Sequence, residues 1–285
     1  MDCLNEFCRE LPKVELHAHL NGSLSRNTML ELKRFHADTG LIDKTNAFID
    51  EFQVGAGDTR QLSEKSSLHL TMVTRLIVSI NRNSSLSVID EIAELAINYH
   101  QKYPDIVVGI ELSGDPTVGV FKNFVPALSK AREEGLKITL HCGEVVNPQE
   151  VLDMLEFKPD RIGHGICIHP DFGGTDVTWA KLCELKIPVE ICLTSNVNTK
   201  STPDYDSHHF KCLYDADIPL IICTDDKGVF STSLSQEYRM CGETFDLTTS
   251  KLARLALNAC QYIFDDKSRK PLNDKLLNFI NKNAL

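Results

Sequence analysis

The chain is short of positive charge, has no C-x-x-C pair, and carries no apolar run long enough to cross a bilayer. It also has no internal repeat and no low-complexity tract. Lys and Arg number 30 against 40 Asp and Glu, a formal net charge of −10. That balance lacks the basic footprint on which nucleic-acid binding depends, so neither a nucleic acid nor a membrane is expected as partner. A small anionic substrate stays compatible, because a metal ion and local donors can offset the global field. Ten cysteines are present but dispersed, several inside apolar runs such as Ile191-Cys192-Leu193 and Ile222-Cys223. They read as buried reduced thiols. With no secretory apolar region near the amino terminus, the expected location is the reducing cytosol.

Two zinc-enzyme signatures are missing as well. There is no H-E-x-x-H, which argues against a zincin protease. There is no H-x-E with P-C-x-x-C, which argues against the cytidine-deaminase type of site.

What is present begins at Lys13-Val14-Glu15-Leu16-His17-Ala18-His19-Leu20. In a strand, residues i and i+2 share a face. His17 and His19 would then face one way, with Val14, Leu16, Ala18 and Leu20 as an apolar stripe on the other. Neutral imidazole is the commonest metal ligand among side chains, so the pair can hold one ion; two histidines in an ordinary strand are the alternative. Further apolar runs recur at Leu76–Ile80, Val107–Leu112, Ile138–His141, Arg161–His164, Val189–Leu193 and Leu220–Cys223. They are nearly continuous in hydrophobicity, as buried parallel strands are. Helical spacing lies between several of them: a helix capped by Ser87, another from Phe121 to Ala131 ended by Gly135, a third opened by Pro148.

Alternating strands and helices predict a parallel α/β architecture, and 285 residues fit one barrel domain spanning 1–285. Polar residues collect at the carboxyl ends of successive strands: His17 and His19, Ser113-Gly114-Asp115, His141 and Glu144, His164, Thr194-Ser195-Asn196, Asp225-Asp226. A (β/α)8 barrel carries its active site at that end. The expected fold is therefore a TIM (β/α)8 barrel of the metal-dependent hydrolase type. Seven strands are visible where eight are needed. Either a strand is hidden around Phe48 to Val54, or the barrel lacks one βα unit between residues 37 and 75.

Each site signal has a plain structural alternative. His141 with Glu144 reads as a ligand and a free acid, or as a core histidine beside a solvated glutamate. The glycines around His164 allow close approach to a ligand, or a bent strand. Asp225-Asp226 after a buried strand needs pairing, hydrogen bonds or a metal, or lies in a surface turn. Together, three histidines and an aspartate at strand ends, with a free Glu and His, make an open site without cysteine, which suits catalytic zinc.

The segments His17-Ala18-His19-Leu20-Asn21-Gly22-Ser23, Ser113-Gly114-Asp115-Pro116, His141-Cys142-Gly143-Glu144, Arg161-Ile162-Gly163-His164, Leu193-Thr194-Ser195-Asn196 and Cys223-Thr224-Asp225-Asp226 resemble, in order, the adenosine deaminase family of zinc amidohydrolases. Asn21, the Leu112–Pro116 run and Asp225–Phe230 resemble its adenosine deaminase-like branch, which acts on N6-methyl-AMP and related 6-substituted purine nucleoside monophosphates. The resemblance implies one zinc ion per chain on His17, His19, His141 and Asp225. It implies that Glu144 moves a proton to the purine N1 and that His164 orients the attacking hydroxide. It implies substrate contacts at His19, Asn21, Gly114 and Asp226, and at His69, which resembles the end of a pocket-lining segment. It implies a purine nucleoside monophosphate as partner, and the chain is expected to be a monomer. A family strand with a Glu-Leu-Arg-like run is not found between the H-x-H segment and Arg75, so an internal deletion is expected there. That leaves two alternatives open: a deaminase acting on adenosine itself, and a catalytically impaired zinc- or nucleotide-binding isoform.

Overall fold

The computed structural model describes residues 3–20, 22–24 and 73–285. Among the described residues, six parallel strands form one sheet in sequence order: β1 (Leu76–Asn81), β2 (Val107–Ser113), β3 (Lys137–Cys142), β4 (Arg161–His164), β5 (Val189–Ile191) and β6 (Leu220–Ile222). At least one helix follows each strand. They are α2 (Leu86–Lys102), α3 (Val125–Glu133), α4 (Pro148–Phe157), α5 (Asp176–Leu185), α6 (Leu193–Asn198) with α7 (Phe210–Asp215), and α8 (Leu234–Thr244) with α9 (Thr249–Ala259). A leading α1 (Cys3–Glu10) packs on α8, and a closing α10 (Asp266–Lys282) packs on α9. None of the described helices is long and apolar enough to cross a membrane.

The register explains why the strands form and which way they face. Ile80, Leu112, Leu140, Ile162, Val189 and Leu220 are successive partners across all six strands. All six are buried in the main hydrophobic core. Neighbouring positions face the other way, and there the partners are Ser79, Glu111, Thr139 and Arg161, with a second row of His141, Gly163, Glu190 and Ile221. The sheet is thus apolar towards its helices and strongly polar on its inner face. Apolar runs in the sequence concealed this alternation, because its polar members are single residues inside them.

The segment expected as a first strand makes, among the described residues, one bridge, Ala18 beside Asp225, in parallel sense. His19 N donates to Asp225 O (3.1 Å) and Asp225 N donates to His17 O (2.9 Å). It lies beside β6 as a seventh stave. Its expected apolar stripe ends early: Val14 and Leu16 pack on the core, while Leu20 is 79% exposed in the following turn. The expectation of a strand hidden around Phe48 to Val54, or of a missing βα unit between residues 37 and 75, lies outside the described residues apart from Val73 to Arg75. Parallel strands with intervening helices, and a site on the inner face at the carboxyl ends, give the TIM-barrel class.

Three local expectations shift. The cap of α2 is Ser85, not Ser87. The Phe121–Ala131 helix splits into a 3-10 turn and α3. The run Val189–Leu193 ends as a strand at Ile191, because Leu193 already starts α6. Pro148 opens α4 as expected, with Asn147 accepting from Glu150 N (3.2 Å). The cysteines other than Cys8 are free thiols, and most of the ten are buried.

Candidate metal centre

Four side chains from three separate parts of the chain converge: His17 and His19 from the extended segment, His141 from β3, Asp225 after β6. Their ligand atoms lie within 4.8 Å of one another. His19 Nε2 is 3.3 Å from His141 Nε2 and 3.2 Å from Asp225 Oδ1. His17 Nε2 is 3.4 Å from the same Oδ1. A tetrahedral ion with bonds of about 2.0–2.1 Å places its ligand atoms about 3.3 Å apart. The observed separations match that spacing. Among the described residues, His17 Nε2 has no hydrogen-bond partner although it is buried and aimed at the cluster, and a metal would satisfy it.

The electrostatics favour a cation here. Burial disfavours charge on His17, but Asp225 and Glu190 beside it outweigh burial and lift its pKa well above the ordinary value. Burial also opposes ionisation of Asp225, yet His17 and His19 hold it far below the usual carboxylate range. His141 goes the other way, pushed well down by burial and by the charge of His17 beside it. Its lone pair is therefore free at neutral pH. Positive charge on His17 and His19 stands where a metal would stand, and the donor set fits the ion.

Local backbone supports the arrangement. Asp225 (φ 60°) and His164 (φ 63°) both sit in the left-handed region, sparsely populated for such residues and typical of functional sites. Ser195 Oγ donates to Asp225 Oδ2 (2.7 Å) and fixes the carboxylate.

Glu144 and His164 flank the cluster. His164 Nε2 is 3.6 Å from Glu144 Oε2, and Glu144 Oε1 is buried without a hydrogen-bond partner among the described residues. The His164 ring lies 5.1 Å from both the His17 and His141 rings. Asp226 is half-buried beside the metal centre, and burial with the Asp225 charge raises its pKa. A methyl on Gly22 would fall 1.6 Å from Asp226 Oδ1, so only glycine permits that approach. Gly114 ends β2 with φ 100°, next to Asn81. Asn21 and His69 lie outside the described residues.

A methyl on Gly163, the glycine before His164, would lie 2.8 Å from Cε1 of His17, so this glycine makes room for the His17 ring. The residues missed by sequence reading are those holding His17. Glu190 Oε2 meets His17 Nδ1 at 2.7 Å, and its Oε1 accepts from Arg161 Nε and from Thr139 Oγ1 (3.2 Å). Burial would raise Glu190, but the Arg161 guanidinium and His17 hold it down at about 2. Their signal was present: one acid inside the apolar run Val189–Leu193 is costly unless paired.

The family model described as "Adenosine deaminase" matches residues 59–279. The chain belongs to the adenosine deaminase family. The N6-methyl-AMP deaminase of Danio rerio is 36% identical, over 95% of this chain and 94% of that protein. That alignment runs over 331 positions, more than the 285 residues of this chain, so the relative carries stretches with no counterpart here. The Arabidopsis ADAL protein complexed with IMP is 34% identical, with a TM-score of 0.81, over 98% of this chain and 100% of that one. A Burkholderia ambifaria amidohydrolase with bound zinc shares the fold at a TM-score of 0.72 and 18% identity, over 99% of this chain and 96% of that one.

Proposed function

We propose that this adenosine deaminase family member is a zinc-dependent hydrolytic deaminase of 6-substituted purine nucleoside monophosphates, converting N6-methyl-AMP and water to IMP and methylamine. The observation that carries it is the spacing of three imidazole Nε2 atoms and one Asp225 oxygen at 3.2–3.4 Å, with an acid and a histidine beside them. The substrate comes from the relatives named N6-methyl-AMP deaminase and the IMP-complexed neighbour.

His17, His19, His141 and Asp225 would hold one zinc ion per chain. Zinc, when bound, supplies a Lewis acid that makes a water molecule nucleophilic near neutral pH. Water would add to C6, and the C6–N bond would break as the water's second proton passes to the amine, which leaves as methylamine while C6 becomes the carbonyl of IMP. Glu144, with one oxygen unpartnered among the described residues, takes the proton from the nucleophile and delivers it to the purine N1. His164 orients the nucleophile at the attack face. Asp226, half-buried beside the cluster, would hydrogen-bond N7. Gly114 offers backbone to the N3 edge, and Asn21 and His69 complete the substrate contacts.

The test compares kcat/KM for N6-methyl-AMP, AMP, N6-methyladenosine and adenosine on zinc-loaded protein, with IMP or inosine as product. Preference for the monophosphates supports the reading. Preference for the nucleosides makes it an adenosine deaminase, and zinc binding without turnover makes it an impaired isoform. Glu144→Gln is nearly isosteric and cannot carry the proton. It should keep its zinc while kcat drops by about 10²–10⁴; activity within a few-fold of the parent would remove Glu144 from the chemistry.

A further inference from the structure

Behind His164 runs a chain of hydrogen bonds whose direction is set at its far end. The Phe210 backbone N–H donates to His208 Nδ1 (3.0 Å). A backbone N–H can only donate, so His208 Nδ1 must present a lone pair and its proton must sit on Nε2. That Nε2 is 3.1 Å from Asn196 Oδ1, which therefore accepts. The other end of the amide, Nδ2, can only donate, and it lies 3.0 Å from His164 Nδ1. His164 Nδ1 must then be the acceptor. Its proton is left on Nε2, which faces Glu144 Oε2.

We propose that His208 and Asn196 are positioning residues that fix the tautomer of His164, keeping its proton on Nε2 towards the reacting site. The consequence for turnover rests on the role given to His164 above; the tautomer itself does not. Every link is buried: His164 is 2%, Asn196 2% and His208 2% exposed. Water therefore offers no alternative partner, and reversing one link would set two donors or two lone pairs against each other. Burial, reinforced by His209, keeps the His208 pKa well below the ordinary value, in agreement with a neutral ring that has one donor and one acceptor.

His209 completes the clamp on the backbone side. Its Nε2 donates to the His164 carbonyl oxygen (2.7 Å), steadying the left-handed peptide, and its ring stacks on His208 with centroids 4.2 Å apart. The two adjacent histidines thus hold the same residue twice, one through its ring and one through its main chain.

The experiment reads the tautomer directly, by long-range ¹H–¹⁵N correlation on ¹⁵N-labelled, zinc-loaded protein. The His164 signals are assigned by their loss in His164→Gln. In the parent, His164 should show a protonated Nε2 and a bare Nδ1. In Asn196→Asp the carboxylate accepts at both ends, so the proton should move to Nδ1, with kcat down at least about 10²-fold and KM changed only a few-fold. His208→Leu removes the directing donor and should give a mixture of tautomers. His208→Gln, whose amide can donate to Asn196 in the same direction, should restore the parent spectrum and most of kcat. A proton on Nδ1 in the parent overturns the proposal, as does an unchanged tautomer in Asn196→Asp. The parent spectrum decides even where a variant does not fold. Absent turnover in the parent would count against the deaminase reading and leave the tautomer to be judged on the spectra.

Discussion

The two sides of the metal centre are built differently. His141 sits on β3, whose backbone is laddered to β2 and β4. Among the described residues, His17 and His19 sit on a segment with a single bridge to the rest of the sheet. Where the ladder gives out, buried side chains take over. Glu15 accepts from His17 N (3.1 Å), Thr224 N (3.1 Å) and Thr224 Oγ1 (2.7 Å). Arg161 donates to Leu16 O (3.1 Å) and Tyr262 O (2.8 Å), stacks on Phe264 and pairs with Glu190, which holds His17. A ligand can thus be positioned by regular structure or by a polar network. The network costs more to build, because each buried charge must find a partner.

The largest break in this comparison comes from Glu190. Glu190→Ala leaves the Arg161 charge buried without its carboxylate and frees the His17 ring. Removing one partner of a buried pair costs about 3–5 kcal/mol, and losing the group that orients a ligating histidine weakens metal affinity by about 10–100-fold. Urea denaturation and competitive zinc titration check both. The matched change at the carboxylate of the cluster, Ser195→Ala, removes one hydrogen bond to Asp225 and should cost less, about 1.5–3 kcal/mol. Equal losses at the two sites would erase the distinction.

The same contrast explains what could be read from the sequence. His141, His164 and Asp225 end apolar runs, and their position there follows from the strands themselves. His17 and His19 stood out by their spacing. The partners that hold them did not, because Glu190 is 173 residues from His17 and 29 from Arg161, and no local period links such positions. Leu20 fitted the apolar stripe, but the chain turns after His19 and leaves it in solvent. Ser85 and Ser87 are both plausible caps, lie 3.0 Å apart, and neither side chain makes the cap bond at Ser85.

Glu15 gives the next effect, through pH. Burial pushes its pKa from the usual 4.5 up to about 7, against donors that favour the carboxylate. The folded state then binds more protons than the unfolded state between those values, so stability falls as pH rises from 4.5 to 7 and levels off above. The span is worth up to about 3 kcal/mol. Glu15→Gln should flatten this part of the stability profile, measured by urea denaturation at a series of pH values, and leave the strand-held residues unaffected. An identical slope in parent and variant would show that the segment is not tethered through a strained carboxyl.

The smallest change tests whether the tether leaves His17 any freedom. Gly163 lies in β4, and a methyl there would sit 2.8 Å from His17 Cε1 and 3.1 Å from its Nδ1. That is too close to persist, so one partner must move. The strand cannot easily do so, since Gly163 is paired with His141 on one side and Glu190 on the other. The imidazole is anchored to Glu190 through Nδ1 and aimed at the cluster through Nε2, so it too has little room. Gly163→Ala should therefore cost about 1–3 kcal/mol, the range for overpacking a well-filled site, and should weaken zinc binding along with stability. If zinc affinity stays at the parent value while stability falls, the ring has held and β4 has given way. If both are unchanged, His17 swings aside without penalty, and the network around Glu190 is looser than a ladder-held ligand would allow.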